Sequence, residues 1–323
     1  LILGALDRFI FGEWLTRSSQ AVDLVGASIG AWRMSTACLN DPVSAFERLE
    51  HDYIHQHYEP LPGKKRVTAE QVSEAFGQSL QAFYGGRIQE ALNHPRYRLH
   101  IVTSRGQHIL HREHPVATPL GYAGAYLSNA VSRRALGAWL ERVVFSSQGA
   151  ALPFDAQDFR TRAVALTEGN FMPALQASCS IPFALKAVHD IPGAPAGAYW
   201  DGGITDYHLH LNWTAPTKGP DRAIVLYPHF QQNVVPGWLD KALKWRHGAT
   251  AFLDNTIVLA PNPEWVKTLP NGKLPDRKDF MTYDRDLAGR VKVWSAAAKA
   301  SEQLADEFEQ WLERPKPAQV LAL

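Results

Sequence analysis

The sequence predicts a layered α/β protein. Three observations lead there: short apolar runs of strand length recur along the chain, amphipathic helical stretches separate them, and a strand-turn-helix signature stands early, at Gly26-Ala27-Ser28-Ile29-Gly30. The 323 residues suffice for one large α/β domain. Neither an internal repeat nor a low-complexity linker divides them, so a single domain over 1–323 is expected, with its motifs in about 1–215 and a helical C-terminal extension at about 284–314.

In chain order, residues 1–4 read as the end of a buried strand, and residues 5–16 carry Leu6, Phe9, Ile10 and Leu15 at helical spacing. A short apolar strand at 21–25 runs into the Ser28 turn, and 31–39 suits a helix leaving it. Thr68-x-x-Gln71 is a capping-box pattern opening a helix through Val72, Phe76, Leu80 and Phe83, which Gly85-Gly86 stops. Residues 97–103 and 159–166 read as strands. Between them, Leu127, Val131, Ala135, Trp139 and Val143 step by four, predicting one helix over 126–145 buried in the core; its arginines and Trp139 also fit a lid or membrane-contacting helix. The runs at 223–227 and 256–260 read as fully buried strands. Finally, Leu287, Val291, Trp294, Ala298, Leu304, Phe308 and Trp311 form the stripe of one long amphipathic helix.

Composition excludes several classes. Hydrophobic residues at 46% and charged residues at 20% describe a folded chain rather than a disordered one. Thirty-three Lys plus Arg against 32 Asp plus Glu leave a net charge of +1, so no nucleic-acid partner is expected. The run Lys64-Lys65-Arg66 follows Pro60-Leu61-Pro62-Gly63 and reads as a solvated loop. Cys38 and Cys179 show no metal spacing and no disulfide framework. No apolar stretch approaches the roughly 18 residues of a membrane span, and no signal-peptide pattern is present. The sequence starts at Leu1 rather than Met, so a preceding segment is expected; the expected location is the cytoplasm or the periphery of a membrane.

The Ser28 turn carries chemistry. A sharp strand-to-helix turn strains its central residue and crowds the positions two residues either side, where Gly26 and Gly30 stand. The turn exposes the hydroxyl and aims the following amide, that of Ile29, at a developing oxyanion. With Gly and Ser each at about 7%, the pattern arises by chance in roughly one chain in ten of this length, so a base must be found as well. An α/β-hydrolase order of Ser, acid, late His fits poorly: Ser28 follows at most two strands, and a long helix follows the last histidine, His247. His208, His210 and His229 remain as bases without supporting context. At Tyr199-Trp200-Asp201-Gly202-Gly203 an apolar approach ends in an acid followed by two glycines, which permit a tight turn and a close neighbour.

A third block, Ala177-Ser178-Cys179-Ser180-Ile181-Pro182, lies between these two. In this order the three blocks resemble the patatin-like phospholipase family, with its G-x-S-x-G elbow, Ala-Ser-x-x-x-Pro segment and Asp-Gly-Gly motif; the resemblance covers about 1–204. It implies a patatin-like layered sandwich with a mostly parallel central sheet flanked by helices on both faces. It also implies a Ser28–Asp201 dyad without histidine, acting on phospholipids or other fatty-acyl esters without metal or organic cofactor, with peripheral membrane contact. Members carry a glycine-rich loop before the elbow whose amides complete the oxyanion hole. Here only Leu1-Ile2-Leu3-Gly4 stands there, so Gly4 is the expected remnant beside Ile29, and the rest is expected to be missing from the given sequence. The family's Asn and Pro after the acid are replaced by Thr205-Asp206-Tyr207-His208, which makes Asp206 a second candidate acid.

Two rival functions stand beside hydrolysis by that dyad: an inactive lipid-binding protein on the same fold, and a Ser-His-Asp esterase. His51, His55 and His57 read as surface histidines rather than metal ligands, and His208 and His210 as structural residues on one side of a strand.

Overall fold

A computed structural model describes residues 1–64, 66–147, 149–213 and 223–323. Helix α1 (Gly4–Phe9) continues through a π-helical turn, Ile10–Trp14, and a 3₁₀ turn, Leu15–Arg17. Residues 1–3 are the turn that starts it, not a strand: the Gly4 and Asp7 amides bond back to the Leu1 and Leu3 carbonyls. Strand β1 (Val22–Ala27) passes through Ser28 into α2 (Ile29–Ala37), followed by α3 (Pro42–His55), α4 (Ala69–Tyr84) and α5 (Ile88–Leu92). α4 opens with half of the expected capping box: Thr68 Oγ1 accepts from the Gln71 amide at 3.3 Å, but the Gln71 side chain donates to the Glu59 carbonyl instead of bonding back to Thr68. Lys64 and Arg66 are exposed, while Lys65 lies outside the described residues.

Strand β2 (Tyr97–Gly106) is followed by α6 (Ala117–Val131), α7 (Arg133–Leu136), β3 (Leu140–Ser146) and β4 (Thr161–Ala165). The single helix expected over 126–145 is therefore corrected. Leu140–Ser146 is buried throughout between β2 and β4, where Val143, Val144 and Phe145 satisfy a central strand better than a helix. The stripe itself faces the other way, with Leu127 and Val131 exposed and Tyr122 and Ala125 packed inward.

After α8 (Glu168–Ser178) come β5 (Val188–His189), β6 (Ala198–Asp201) and α9 (Gly203–Asp206). β7 (Val225–Pro228) and β8 (Thr256–Leu259) pair in parallel as a separate two-stranded sheet. They are half-buried rather than fully buried, because one side of this small sheet faces open space: Ile224 and Ile257 are exposed. The chain ends in α10 (Pro263–Thr268), α11 (Lys278–Tyr283), α12 (Leu287–Ala300) and α13 (Glu302–Glu313). The expected single C-terminal helix breaks at Ser301, whose hydroxyl bonds back to the Ala298 carbonyl at 2.6 Å. α13 lays Phe308 against Phe9 and Trp14.

The main sheet is mixed, not mostly parallel. β1–β2 and β3–β4 are parallel, whereas β2–β3, β2–β6 and β5–β6 are antiparallel. One face carries the largest core, with Leu24, Leu99, Ile101 and Phe145 under residues of α1 to α4 and α8. The other face is covered by α6, α7 and α9 at one end and by residues 209–213, β7 and β8 at the other. Helices thus lie on both faces, but the second face is only partly helical.

The pairing along β2 positions the site. One edge of β2 is filled by β3; the opposite edge is shared between two strands laid end to end. β1 arrives in parallel and stops with Ala27 opposite Val102. β6 arrives from the other end, antiparallel, and stops with Asp201 opposite Thr103. The C-terminal ends of two strands far apart in sequence therefore meet head-on.

Candidate active site

Ser28 follows the end of β1 with φ 56° and ψ −131°, a conformation costly for any residue with a side chain and characteristic of functional turns. Gly26 makes the turn feasible, since a Cβ there would stand 2.5 Å from the backbone of Gly30 and Ala31. Gly30 does not share this role: a Cβ would meet nothing within 4 Å, so its missing side chain leaves open space in the cavity it lines, rather than relieving a clash.

Across the β1–β6 junction, the Ser28 hydroxyl donates to Asp201 Oδ2 at 2.7 Å. The other carboxylate oxygen, Oδ1, accepts from the Gly203 amide at 2.7 Å, which fixes the carboxylate plane. Gly202 is required where the chain turns, because a Cβ would run into the Val102 carbonyl. Gly203 is confined too, its Cβ position lying 2.9 Å from Asp201 Oδ1. Asp201 is 6% exposed, and burial pushes its carboxyl up to about 6 against the opposing pull of the Ser28 hydroxyl, the Gly203 amide and the cations Arg277 and Lys241. Tyr199 and Trp200, on opposite faces of β6, are buried in the core on either side.

The end of α8 and the residues just after it tie the junction together. Ser178 donates its hydroxyl to the Val102 carbonyl at 2.7 Å and accepts the Ser28 amide at 3.0 Å. The Asp201 and Gly202 amides bond to the Ser180 and Ser178 carbonyls. One serine thus links the central strand to the Ser28 backbone, a role its sequence block marked only as part of a pattern.

At the start of α2, the amides of Ile29 and Gly30 have no protein acceptor among the described residues, so both remain available to an anion beside Ser28. Ile29 is where the sequence places it; Gly30 is a donor it missed. Gly4 is not brought to the site. Its amide bonds to the Leu1 carbonyl, and it opens α1 against Glu50.

The other candidates are placed elsewhere. Asp206 is fully buried and held by Arg142 through bonds of 2.6 and 2.7 Å, with Arg133 at 3.3 Å, so its carboxyl lies below the usual range despite burial. His208 and His210 lie in a turn, with Leu209 at φ 46°, rather than on a strand. His208 accepts from the Val235 amide, His210 Nε2 pairs with Thr250, His229 Nδ1 with the Gln231 carbonyl, and His247 with the Asp240 carbonyl. Burial lowers His208, His210 and His229 to about 2, 4 and 4. None of the four bonds Ser28. His51 and His55 stack on each other at the surface. Among the described residues no group of three or more His, Cys, Asp or Glu could hold a metal ion.

Ser28 and Asp201 open into a cavity of about 2130 Å³, larger than the roughly 300–1,000 Å³ of ordinary small-molecule pockets. Ile2, Phe9, Ile10, Leu24, Met34 and Leu226 are among its apolar lining. The C-terminal third, silent in sequence, supplies much of its wall: residues 223–231, Lys241, residues 273–278 and Leu312. Among the described residues no helix is long and apolar enough to cross a membrane. No protein-family model matches the chain, and no curated protein matches its sequence.

Proposed function

We propose that the chain is a serine acyl-ester hydrolase of patatin-like type, with Ser28 as nucleophile and Asp201 as its base. The observation that carries this is the 2.7 Å contact between the Ser28 hydroxyl and Asp201 Oδ2, made by a strained serine at the start of a helix. Asp201 takes the hydroxyl proton as Oγ attacks the ester carbonyl. The oxyanion lies against the Ile29 and Gly30 amides, in the field of the α2 N-terminus. Collapse expels the alcohol, which receives the proton from Asp201; a water activated by Asp201 then releases the acid from the acyl-serine. Neither a metal nor an organic cofactor enters these steps.

The size and apolar lining of the cavity favour a fatty-acyl ester as substrate. Contact with a lipid surface is supported by α6, which has no charged residue and exposes Val116, Leu120, Leu127 and Val131 along one side. From its opposite side the same helix packs Tyr122 against Phe183 and against Trp200 of the strand that ends at Asp201.

Fluorophosphonate labelling and hydrolysis of a chromogenic acyl ester test the proposal. Labelling at Ser28 is expected, with losses of about 10³-fold or more in kcat for Ser28→Ala and Asp201→Asn. An unlabelled full-length protein would leave a lipid-binding protein instead. Activity surviving Asp201→Asn but lost on replacing His229 would make it a Ser-His esterase.

A further inference from the structure

The cavity around Ser28 also has cations that acyl transfer does not use. Arg33 is bound by Asp7 through two 2.7 Å bonds, Arg98 by Asp23 at 2.7 Å, and Lys273 by Asp276 and Asp279. Lys241 and Arg277 differ. Both line the cavity, both are exposed, and among the described residues neither has an ion pair or a side-chain hydrogen bond; Lys278 shares these traits, and what sets Lys241 and Arg277 apart from it is their action on the Asp201 carboxylate.

Their placement is specific. Lys241 Nζ lies 4.0 Å from the centre of the Tyr207 ring and 5.4 Å from that of Trp238. Tyr207 borders the catalytic carboxylate: the side-chain position of Gly203 is 2.9 Å from Asp201 Oδ1 and 3.4 Å from Tyr207 Cδ2. The aromatic pair therefore holds the ammonium on the Asp201 side of the cavity. Arg277 approaches from the turn before α11; its charge and that of Lys241 both act on Asp201. Burial and the repulsion of Arg277 bring Lys241 down to about 8. Asp276, next to Arg277, is already engaged by Lys273 and by the Lys278 amide. Asp201 itself is committed to Ser28 and Gly203.

Two exposed cations of one cavity, each acting on Asp201 and one repelling the other, thus lack a counter-ion among the described residues beside the Ser28 hydroxyl. Such a pair is unfavourable until an anion joins it, and a cleft lined by one sign of charge concentrates that anion. An Arg and a Lys together offer the charge and the several donors that a phosphate takes up. We propose that Lys241 and Arg277 form an anion subsite in the cavity, which takes the phosphate of a net-anionic amphiphile whose chain lies along the apolar inner wall. In the hydrolase reading, on which this assignment to a substrate half rests, that phosphate belongs to the alcohol half of the ester.

Binding to the full chain carrying Ser28→Ala separates this subsite from catalysis. Octyl phosphate is expected to bind at least about tenfold more tightly than octyl phosphocholine or octyl glucoside by titration calorimetry. Lys241→Gln or Arg277→Gln should each weaken octyl phosphate about tenfold and leave the melting temperature in place, since both side chains are exposed. Affinity should fall between about pH 7.5 and about pH 9 as Lys241 loses its proton, and Lys241→Arg should abolish that fall while keeping the affinity. Equal affinity for the three amphiphiles, or indifference to both Gln variants, would overturn the subsite. So would inorganic phosphate binding as tightly as octyl phosphate, which would make it a free-phosphate site. Failure of fluorophosphonate labelling alongside the expected binding pattern would remove the hydrolase reading and keep the subsite. Ester hydrolysis whose preference for phosphate-bearing over neutral esters is unchanged by both Gln variants would do the reverse.

Discussion

Asp201 precedes α9 and Asp206 is its last residue; both are buried, yet their surroundings drive them in opposite directions. Arg142 and Arg133 keep Asp206 ionised, whereas Asp201 receives only a hydroxyl, an amide and two more distant cations, and burial wins. A base must be ionised to accept the Ser28 proton. With Asp201 up at about 6, its ionised fraction grows as pH rises through that value. On a neutral ester, kcat/KM is therefore expected to be flat above about pH 6 and to drop about tenfold per unit well below it, as a pH-rate profile would record. The stability sign is the reverse of the usual carboxylate. The folded state holds this proton more tightly than the unfolded chain, so the contribution is full at low pH and is lost as pH rises through about 6. For Asp206 the outcome is structural: Asp206→Asn strips the buried Arg142 of its main partner and should cost about 3–5 kcal/mol in urea unfolding, while the acidic limb of the rate profile stays in place.

At the scale of elements, Ser178 is the joint between β2, Ser28 and α8. Ser178→Ala leaves the Val102 carbonyl and the Ser28 amide without a side-chain partner, a cost of about 1–3 kcal/mol. It should lower kcat by roughly ten- to a hundredfold through misplacement of Ser28, with KM changed less, and steady-state kinetics separate the two. Ser178 was legible only as a member of a pattern, because a serine announces its bonds through partners that are remote in sequence. The glycines were more informative. Gly26 and Gly202 are demanded by close backbone approaches and stand at the ends of β1 and β6, although the apolar pattern ends the first strand at 25 and marks no strand before Asp201. β3 was not legible, since a spacing of four that runs through α6 and α7 continues by coincidence into Val143. Only the demand of the sheet for a buried strand between β2 and β4 decides that segment.

For the whole molecule, what the sequence conveyed was the alternation of elements and the two residues, Ser28 and Asp201, that meet across the sheet. What it withheld was everything made by juxtaposition: the mixed sheet, the cavity wall contributed by residues 223–231 and 273–278, and the cations Lys241 and Arg277. Periodicity reports which face of an element is buried, not which distant segment covers it. The antiparallel entry of β6 is the clearest case, since nothing local to Ala198–Asp201 specifies the direction in which the strand docks.

That docking gives the chain an internal ruler. Ser28 and Asp201 are 173 positions apart in sequence, but their separation in space is metered by adjacent rungs of β2, Val102 for one strand end and Thr103 for the other. Extra residues in the surface loops between them leave the two rungs where they are. One residue inserted within β2 between those rungs moves the strand ends apart by about 3.3 Å and turns the following side chains to the opposite face. A single insertion there should silence fluorophosphonate labelling, whereas one between α4 and α5 should not. Tolerance to changes in length is therefore expected to be wide around this hydrogen-bonded pair and narrow at a single point in the strand that neither member belongs to.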